Sequence, residues 1–412
     1  MNKKNVFLWT LYDFANSIVS IVFFLYFSQW LVVDKGVADF WYNFIFIIGS
    51  VFLLLTAPVL AGIADRNGRQ QHYLNKITVL SFLCFLGASL TTLFLSDKVF
   101  LAVLFFVLAN YLYQFSFVFY NALLRFMAPR EKWGMVSGIG QAGNFLGQVS
   151  GLLITIPLAS GAIYLIGTAG RAQALLPATL LFFLLALPMI LFFKLPKQDK
   201  TSSKINLKEE YLSQWQQFKG LVKDRNMKLF LLAYFFFNDA IITISNNFPI
   251  YLENVFEVSD KLKSTLLAGL LFTSIFGALF SGFVIDKIGL KKALIFIIGI
   301  WVIFIPVLGL NTNFNVFMVL CILLGFLYGA IWTVTRAAMT ALTPPDKLNF
   351  GFSFYTLAER TSTLIGPLCW GLFTYFFVEL GATRYRIAMI SMALFVALGL
   401  YFVRKVEIKE QE

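Results

Sequence analysis

The sequence is poor in the residues from which catalytic and metal sites are built. Its 412 residues include one histidine, His72, and three cysteines, Cys84, Cys321 and Cys369. The thiols lie far apart and form no CxxC pair, which excludes a metal site built on Cys and His. Each cysteine falls in an apolar stretch and reads as a small buried hydrophobe. No Walker loop is present, so the chain cannot draw on its own ATP hydrolysis. No cofactor is implied. Charge is scarce as well, at 13% of residues, about half the ~25% of soluble domains. Strand-like alternation is missing, which excludes a membrane barrel.

Apolar residues are abundant: 59% of the chain is hydrophobic, and phenylalanine alone occurs 48 times. They come in blocks of about 20, the length a helix needs to cross ~30 Å of hydrocarbon. Twelve spans are expected, near 6–33, 40–62, 74–96, 98–121, 135–158, 174–194, 228–252, 264–285, 292–310, 315–335, 349–377 and 386–403. The first run is too long for a signal-peptide core and is expected to stay as the first helix. The net charge of +12 raises the question of an acidic partner, and its distribution answers it. With the N-terminus inside, the cytoplasmic segments and the span ends that border them hold 25 of the 33 Lys and Arg residues. This positive-inside bias places both termini in the cytoplasm. The basic balance is topological, and no nucleic-acid partner is expected.

One polar, Lys-rich segment at 195–226 divides the spans six and six. The expected organisation is an N-terminal six-helix bundle at 1–194, a cytoplasmic linker at 195–226 and a C-terminal six-helix bundle at 227–412. Within the linker, Leu207, Tyr211, Trp215, Phe218 and Val222 fall at helical spacing and suggest an amphipathic helix on the inner membrane surface. The halves also repeat. "GIADRNGRQQ" at 62–71 answers to "GFVIDKIGLKK" at 282–292, and "NALLRFMAPREKWGMVSG" at 121–138 to "RAAMTALTPPDKLNFGFS" at 336–353. "YDFANS" and "FNDAIIT" set Asp13 against Asp239. Parallel six-helix repeats with a midplane site between them describe a common secondary-transporter architecture.

These motifs carry a resemblance. "GIADRNGRQ" resembles the signature loop of the major facilitator superfamily, between its second and third helices. "LYDFANS", "NALLRFMAPREKWGMVSGIG" and "YFFFNDAI" resemble a narrower branch, the vacuole-effluxer-like family related to fungal autophagy-linked amino-acid effluxers. The resemblance implies an all-α membrane protein, with twelve transmembrane helices in two bundles, that exports amino acids by alternating access. The fifth span lacks the Gly-Pro pair of proton-coupled drug exporters, which speaks against drug antiport.

Polar residues inside the spans form stripes. Asp13, Asn16, Ser17 and Ser20 share one face of the first, and Asp239, Thr243 and Asn246 one face of the seventh. Ser137, Gln141, Asn144 and Gln148 line the fifth; its repeat mate, the eleventh, carries Thr356, Glu359 and Thr363. The sixth, ninth and twelfth spans are nearly free of polar side chains. Lipid-facing surface must be apolar, so striped helices are expected to line a central cavity and the bare ones to face lipid. A carboxylate in a span costs roughly 2.5 kcal/mol or more on insertion scales, so it marks either a function or a buried partner. The candidate substrate or coupling residues are therefore Asp13, Asn16, Gln141, Asn144, Asp239, Asn246, Glu359 and Arg360, with helix-gluing pairs as the alternative. Arg125 and Arg336 lie nearer the cytoplasmic side and are expected to gate. Asp65, Arg66 and Arg69 occupy the signature loop. Asp65 is placed to accept from a helix N-terminus in the other bundle, and the resemblance points to the eleventh helix. Asp286 and Lys287 read as a degraded copy. "GIGQAG" at 138–143 matches a dinucleotide fingerprint but lacks the preceding strand. Gly143, Gly147 and Gly151 are expected to serve close helix packing instead.

The expected function is secondary transport of a small polar solute, an amino acid moving outward, with protons as coupling ion. The expected setting is the cell membrane, with the bilayer as surroundings and the chain a monomer. A sugar or drug transporter of the same fold and a non-transporting sensor are the alternatives. No paired catalytic groups suggest an enzyme. The topology makes a direct prediction: reporters placed within 195–226 and at the C-terminus both read cytoplasmic in intact cells. An external reading of either overturns the twelve-span arrangement.

Overall fold

A computed structural model describes residues 3–37, 39–195, 212, 216, 220, 223–258, 260–361 and 365–408. Helix occupies each of the twelve predicted spans, and the described residues contain no strand. The helices are α1 (Lys3–Val22), α2 (Asp39–Asn67), α3 (Gln70–Phe94), α4 (Val99–Ala122), α5 (Trp133–Ala159) and α6 (Leu175–Phe192). There follow α7 (Arg225–Phe256), α8 (Asp260–Ile288), α9 (Leu290–Leu310) and α10 (Phe314–Leu342). The eleventh span holds two helical pieces, Leu348–Thr361 and Ile365–Phe376, together called α11, and α12 is Thr383–Arg404. Ten helices among the described residues are long and apolar enough to cross a membrane. The amphipathic helix expected in 195–226 lies almost wholly outside the described residues.

The chain forms two compact units. The first comprises Met1–Pro129, Ile139–Tyr211 and Pro345–Ser353; the second comprises Arg130–Gly138, Leu212–Pro344 and Phe354–Glu412. The start of α5 thus belongs to the second unit, and the start of α11 to the first. Inside the units the packing repeats. In the first, α1 packs on α6, α2 on α4, and α3 on both α4 and α6. In the second, α7 packs on α12, α8 on α10, and α9 on both α10 and α12. Each pair recurs six helices later, so the weak sequence repeat encodes a strong packing repeat.

Helix α1 continues beyond Val22 as two π-helical stretches, Phe23–Phe27 and Trp30–Asp34. They set Phe23 against Phe85 of α3, with centroids 4.6 Å apart, and Phe27 against Phe106 of α4 at 4.3 Å. These offset and tilted rings fill the first unit away from its N-terminus. At the opposite end, amides hold the chain where it leaves α6. Asn5 donates to the Lys194 carbonyl (3.2 Å), Asn75 to that of Ile190 (3.3 Å), and Gln71 to that of Phe193. Carbonyls orphaned at the helix C-terminus thereby find partners on α1 and α3.

The glycines of α5 do what their spacing suggests. A Cβ on Gly143 would lie 2.6 Å from Thr10 Cγ2, one on Gly147 would meet Phe14 backbone, and one on Gly151 would lie 3.1 Å from Ile18 Cα. Only hydrogen fits, so α1 and α5 approach backbone to backbone. In the second unit the close approach falls between α8 and α10, where Gly277 abuts Phe326 and Gly329 abuts Ser274. The expected consequence is that Gly147→Val destabilises the protein by ~1–3 kcal/mol through overpacking. Gly299→Ala, at a site with nothing within 4 Å, is expected to be neutral. Thermal unfolding of the two variants in detergent checks this; equal melting temperatures contradict it.

Candidate functional site

Asp13 is fully buried. Its ionised carboxylate can only accept, and helices of its own unit supply donors. Tyr120 of α4 donates its hydroxyl to Oδ2 at 3.0 Å, and Asn144 of α5 donates Nδ2 to Oδ1 at 2.7 Å. Gln148, one turn on, donates to Asn144 Oδ1 at 2.8 Å, which fixes the amide with its nitrogen toward Asp13. Tyr120 is itself held: its ring stacks on Trp9 at 4.6 Å, and its backbone carbonyl accepts from Trp9 Nε1 at 3.0 Å. The neighbouring Tyr12 hydroxyl pairs with Thr78 at 2.7 Å. Three helices therefore converge on one carboxylate. Asn16 turns back to the Tyr12 carbonyl (3.0 Å), and Gln141 is buried on α5.

Asp239 of α7 is also fully buried, but its donor is different. The Gly366 N–H, at the start of the second piece of α11, donates to Oδ2 at 2.7 Å. Residue 359 stands where α5 has Asn144, and there the chain carries Glu359, which cannot donate when ionised. Glu359 is half-buried; it accepts from the Tyr234 hydroxyl at 3.4 Å, and its backbone carbonyl accepts from Asn238 at 3.3 Å. Tyr234 stacks on Tyr355 at 4.3 Å, and the Tyr355 hydroxyl donates to Thr335 at 3.0 Å. Each unit thus sets a stacked aromatic pair beside an in-span carboxylate. Arg336 is buried on α10, whereas Asn246 is exposed on α7. The Arg360 side chain lies outside the described residues.

Several polar atoms in these stripes remain unpartnered among the described residues. They are Ser17 Oγ, Asn110 Nδ2 and Gln114 Oε1 in the first unit, and Asp239 Oδ1 and Thr243 Oγ1 in the second. Buried polar atoms in a finished core are almost always paired. Stripes that keep spare hydrogen-bonding capacity suit contact with a polar solute or water.

In the signature loop, Asp65 meets the start of α11, the helix the resemblance pointed to. Asp65 accepts the Phe350 N–H at 2.9 Å and the Asn349 side chain at 2.5 Å, at the start of α11 within the first unit. Asp65 lies beyond the predicted second span. Burial pushes its carboxyl up to about 6, and the Phe350 and Asn349 donors oppose that rise. Arg66 and Arg69 are exposed, and Arg125 is half-buried. The reading of Asp286 as a degraded copy needs correction. Asp286 accepts the Met135 N–H at 3.0 Å, at the start of α5 within the second unit. Phe350 and Met135 occupy equivalent positions of the repeat, so both latches are built alike. The following glycines, Gly68 at φ 61° and Gly289 at φ 88°, supply the left-handed turn in each. The copy was misjudged because a carboxylate and a following glycine recur in both contacts although the Arg residues of the motif do not.

Sequence reasoning did not find Tyr120, Tyr234, Tyr355, Asn349 or Gly366. Tyrosines in apolar spans look like core among 48 phenylalanines, and a backbone donor has no side-chain signal at all.

Comparison with known proteins matches this architecture. The family model described as "Vacuole effluxer Atg22 like" matches residues 42–412. An uncharacterized MFS-type transporter, YxiO, of Bacillus subtilis is 26% identical over 87% of this chain and 86% of its own. Autophagy-related protein 22 of Vanderwaltozyma polyspora is 25% identical over 50% of this chain and 41% of its own. The solved fucose:proton symporter of E. coli superposes with a TM-score of 0.71 at 16% identity, over 98% of this chain and 97% of that one. That likeness establishes the fold, and the family match covers nearly all of the sequence. The chain belongs to the Atg22-like vacuole effluxer family and is a membrane transporter of the major facilitator superfamily rather than an enzyme.

Proposed function

We propose that the chain exports a small polar solute, an amino acid, by alternating access coupled to protons. The observation that carries this reading is the pair of buried carboxylates at equivalent repeat positions, Asp13 on α1 and Asp239 on α7, each at a stripe with unpartnered polar atoms. A zwitterion needs both signs of charge from its host. Glu359 and the two aspartates supply one; Arg336 and Arg360 are the candidates for the other. The family's description as an effluxer supports the direction, and the fucose:proton symporter supports proton coupling on this fold.

In this reading Asp13, Asn16, Gln141, Asn144, Asp239, Asn246, Glu359 and Arg360 meet solute or the coupling proton. A carboxyl that moves between a dry and a wet setting changes its proton affinity, and so can load and release a proton once per cycle. Asp65, with Arg66, Arg69, Arg125 and Arg336, gates. Asp65 holds the first turn of α11 through the Phe350 N–H, so losing it changes how often the helix moves without touching solute.

Flux into proteoliposomes tests the proposal. A panel of labelled amino acids, sugars and lipophilic drugs is offered with and without an imposed proton gradient. The expected result is accumulation of at least one amino acid that rises with the gradient. Accumulation of sugars or drugs alone overturns the substrate class. Gradient-independent amino-acid flux overturns proton coupling, and absence of all flux points to a sensor.

A further inference from the structure

The connection between α5 and α6 has an unusual build. Residues 160–169 contain no Asp, Glu, Lys, Arg or His, and Ile163, Tyr164, Leu165 and Ile166 are 48, 62, 54 and 48% exposed. An aqueous loop normally turns polar side chains outward and leaves its peptide groups to water. This one does the reverse. The side chain of Gln173, 2% exposed, accepts the Leu165 N–H at 3.0 Å and the Ile166 N–H at 3.2 Å. Its other end donates to the Ile166 carbonyl at 2.6 Å and the Thr168 carbonyl at 2.5 Å. The Ile163 N–H donates to the Pro157 carbonyl (2.9 Å), and the Tyr164 hydroxyl to the Gly167 carbonyl (2.9 Å). Thr168 ties the loop to the end of α3, donating N–H at 2.8 Å and hydroxyl at 2.9 Å to the Leu93 carbonyl. The nearest charge in sequence, Arg171, is engaged by Asp34 and Gln29.

Satisfying backbone groups within the protein is what apolar surroundings demand of an irregular segment. Here it accompanies four outward apolar side chains, one of them a tyrosine of the kind enriched at membrane–water boundaries. The loop also continues an apolar flank. Phe94 and Leu95 are exposed beside Leu93, and Leu153, Ile154 and Ile156 are exposed along α5 just before it. We propose that residues 163–166 form a preformed apolar wedge that seats in the headgroup–acyl boundary of the bilayer and anchors the α5–α6 end of the first unit. Gln173 is its positioning residue: it holds the wedge in shape and touches no lipid.

The test uses full-length protein with Cys84, Cys321 and Cys369 replaced by alanine. Ile163→Cys, Leu165→Cys and the loop-base control Ser160→Cys are each labelled with an environment-sensitive fluorophore in phosphatidylcholine–phosphatidylglycerol nanodiscs. The expected result is blue-shifted emission at 163 and 165, quenched several-fold more by shallow spin-labelled lipid, and several-fold less by aqueous iodide, than at 160. Gln173→Ala is expected to narrow that difference with unchanged expression. Iodide quenching at 163 and 165 equal to that at 160 overturns the wedge. So does lipid protection that disappears when the protein is diluted to one copy per disc, since a second copy is then the cover. If Gln173→Ala does not fold, the cysteine comparison decides the lipid contact alone, and Gln173→Glu, which keeps the acceptor and loses the donor, tests the clamp.

Discussion

A carboxylate removed from water must be given hydrogen-bond donors, and in a bundle of apolar helices those donors come from other helices. This requirement organises the molecule. Asp13 draws Tyr120 of α4 and Asn144 of α5 toward α1. Asp65 fastens the start of α11 to the end of α2, Asp239 takes the Gly366 N–H of α11, and Asp286 takes the start of α5. The remaining surface is mostly apolar and packs without direction, apart from the glycine contacts that set how closely α1 and α5 approach. Leaving any of these carboxylates without its donors is costly, so each defines which neighbours its helix can have.

The repeat is kept where the contact uses backbone and altered where it uses side chains. Asp65 and Asp286 meet equivalent N–H groups, and their loops share a left-handed glycine. At the deeper pair the halves diverge. Asn144 donates to Asp13, whereas the equivalent position holds Glu359 and Asp239 takes a backbone donor. One half therefore holds its carboxylate with an amide anchored by Gln148, while the other carries a second carboxyl, Glu359, at the amide's position.

The fold was legible in the sequence because bilayer thickness dictates block length and the two halves repeat. The in-span aspartates were legible for the opposite reason: Asp13 and Asp239 interrupt apolar runs, and such interruptions are expensive. Their partners were not. Tyr120 looks like any buried aromatic, and the Gly366 N–H is a backbone group that every residue except proline carries. Asn349 sits in the first turn of α11, at the edge of the predicted span, where an amide is ordinary. The spacing of Gly143, Gly147 and Gly151 did carry information, since three small residues four apart leave one helix face bare. The Gln173 clamp was hidden, because a single glutamine beside an apolar loop gives no sign that it bonds four peptide groups.

The repeat-related carboxylates are proposed as the groups on which the transport cycle acts. Asp13→Asn tests it most directly. Asparagine imitates the protonated acid, and the Tyr120 hydroxyl can turn from donor to acceptor, so the cluster can re-form. The measurement compares gradient-driven accumulation with exchange of labelled for unlabelled solute in proteoliposomes, at matched expression. The expected result is near-normal expression, lost accumulation and retained exchange. Full gradient-driven accumulation by the well-expressed variant would contradict it and remove Asp13 from the mechanism.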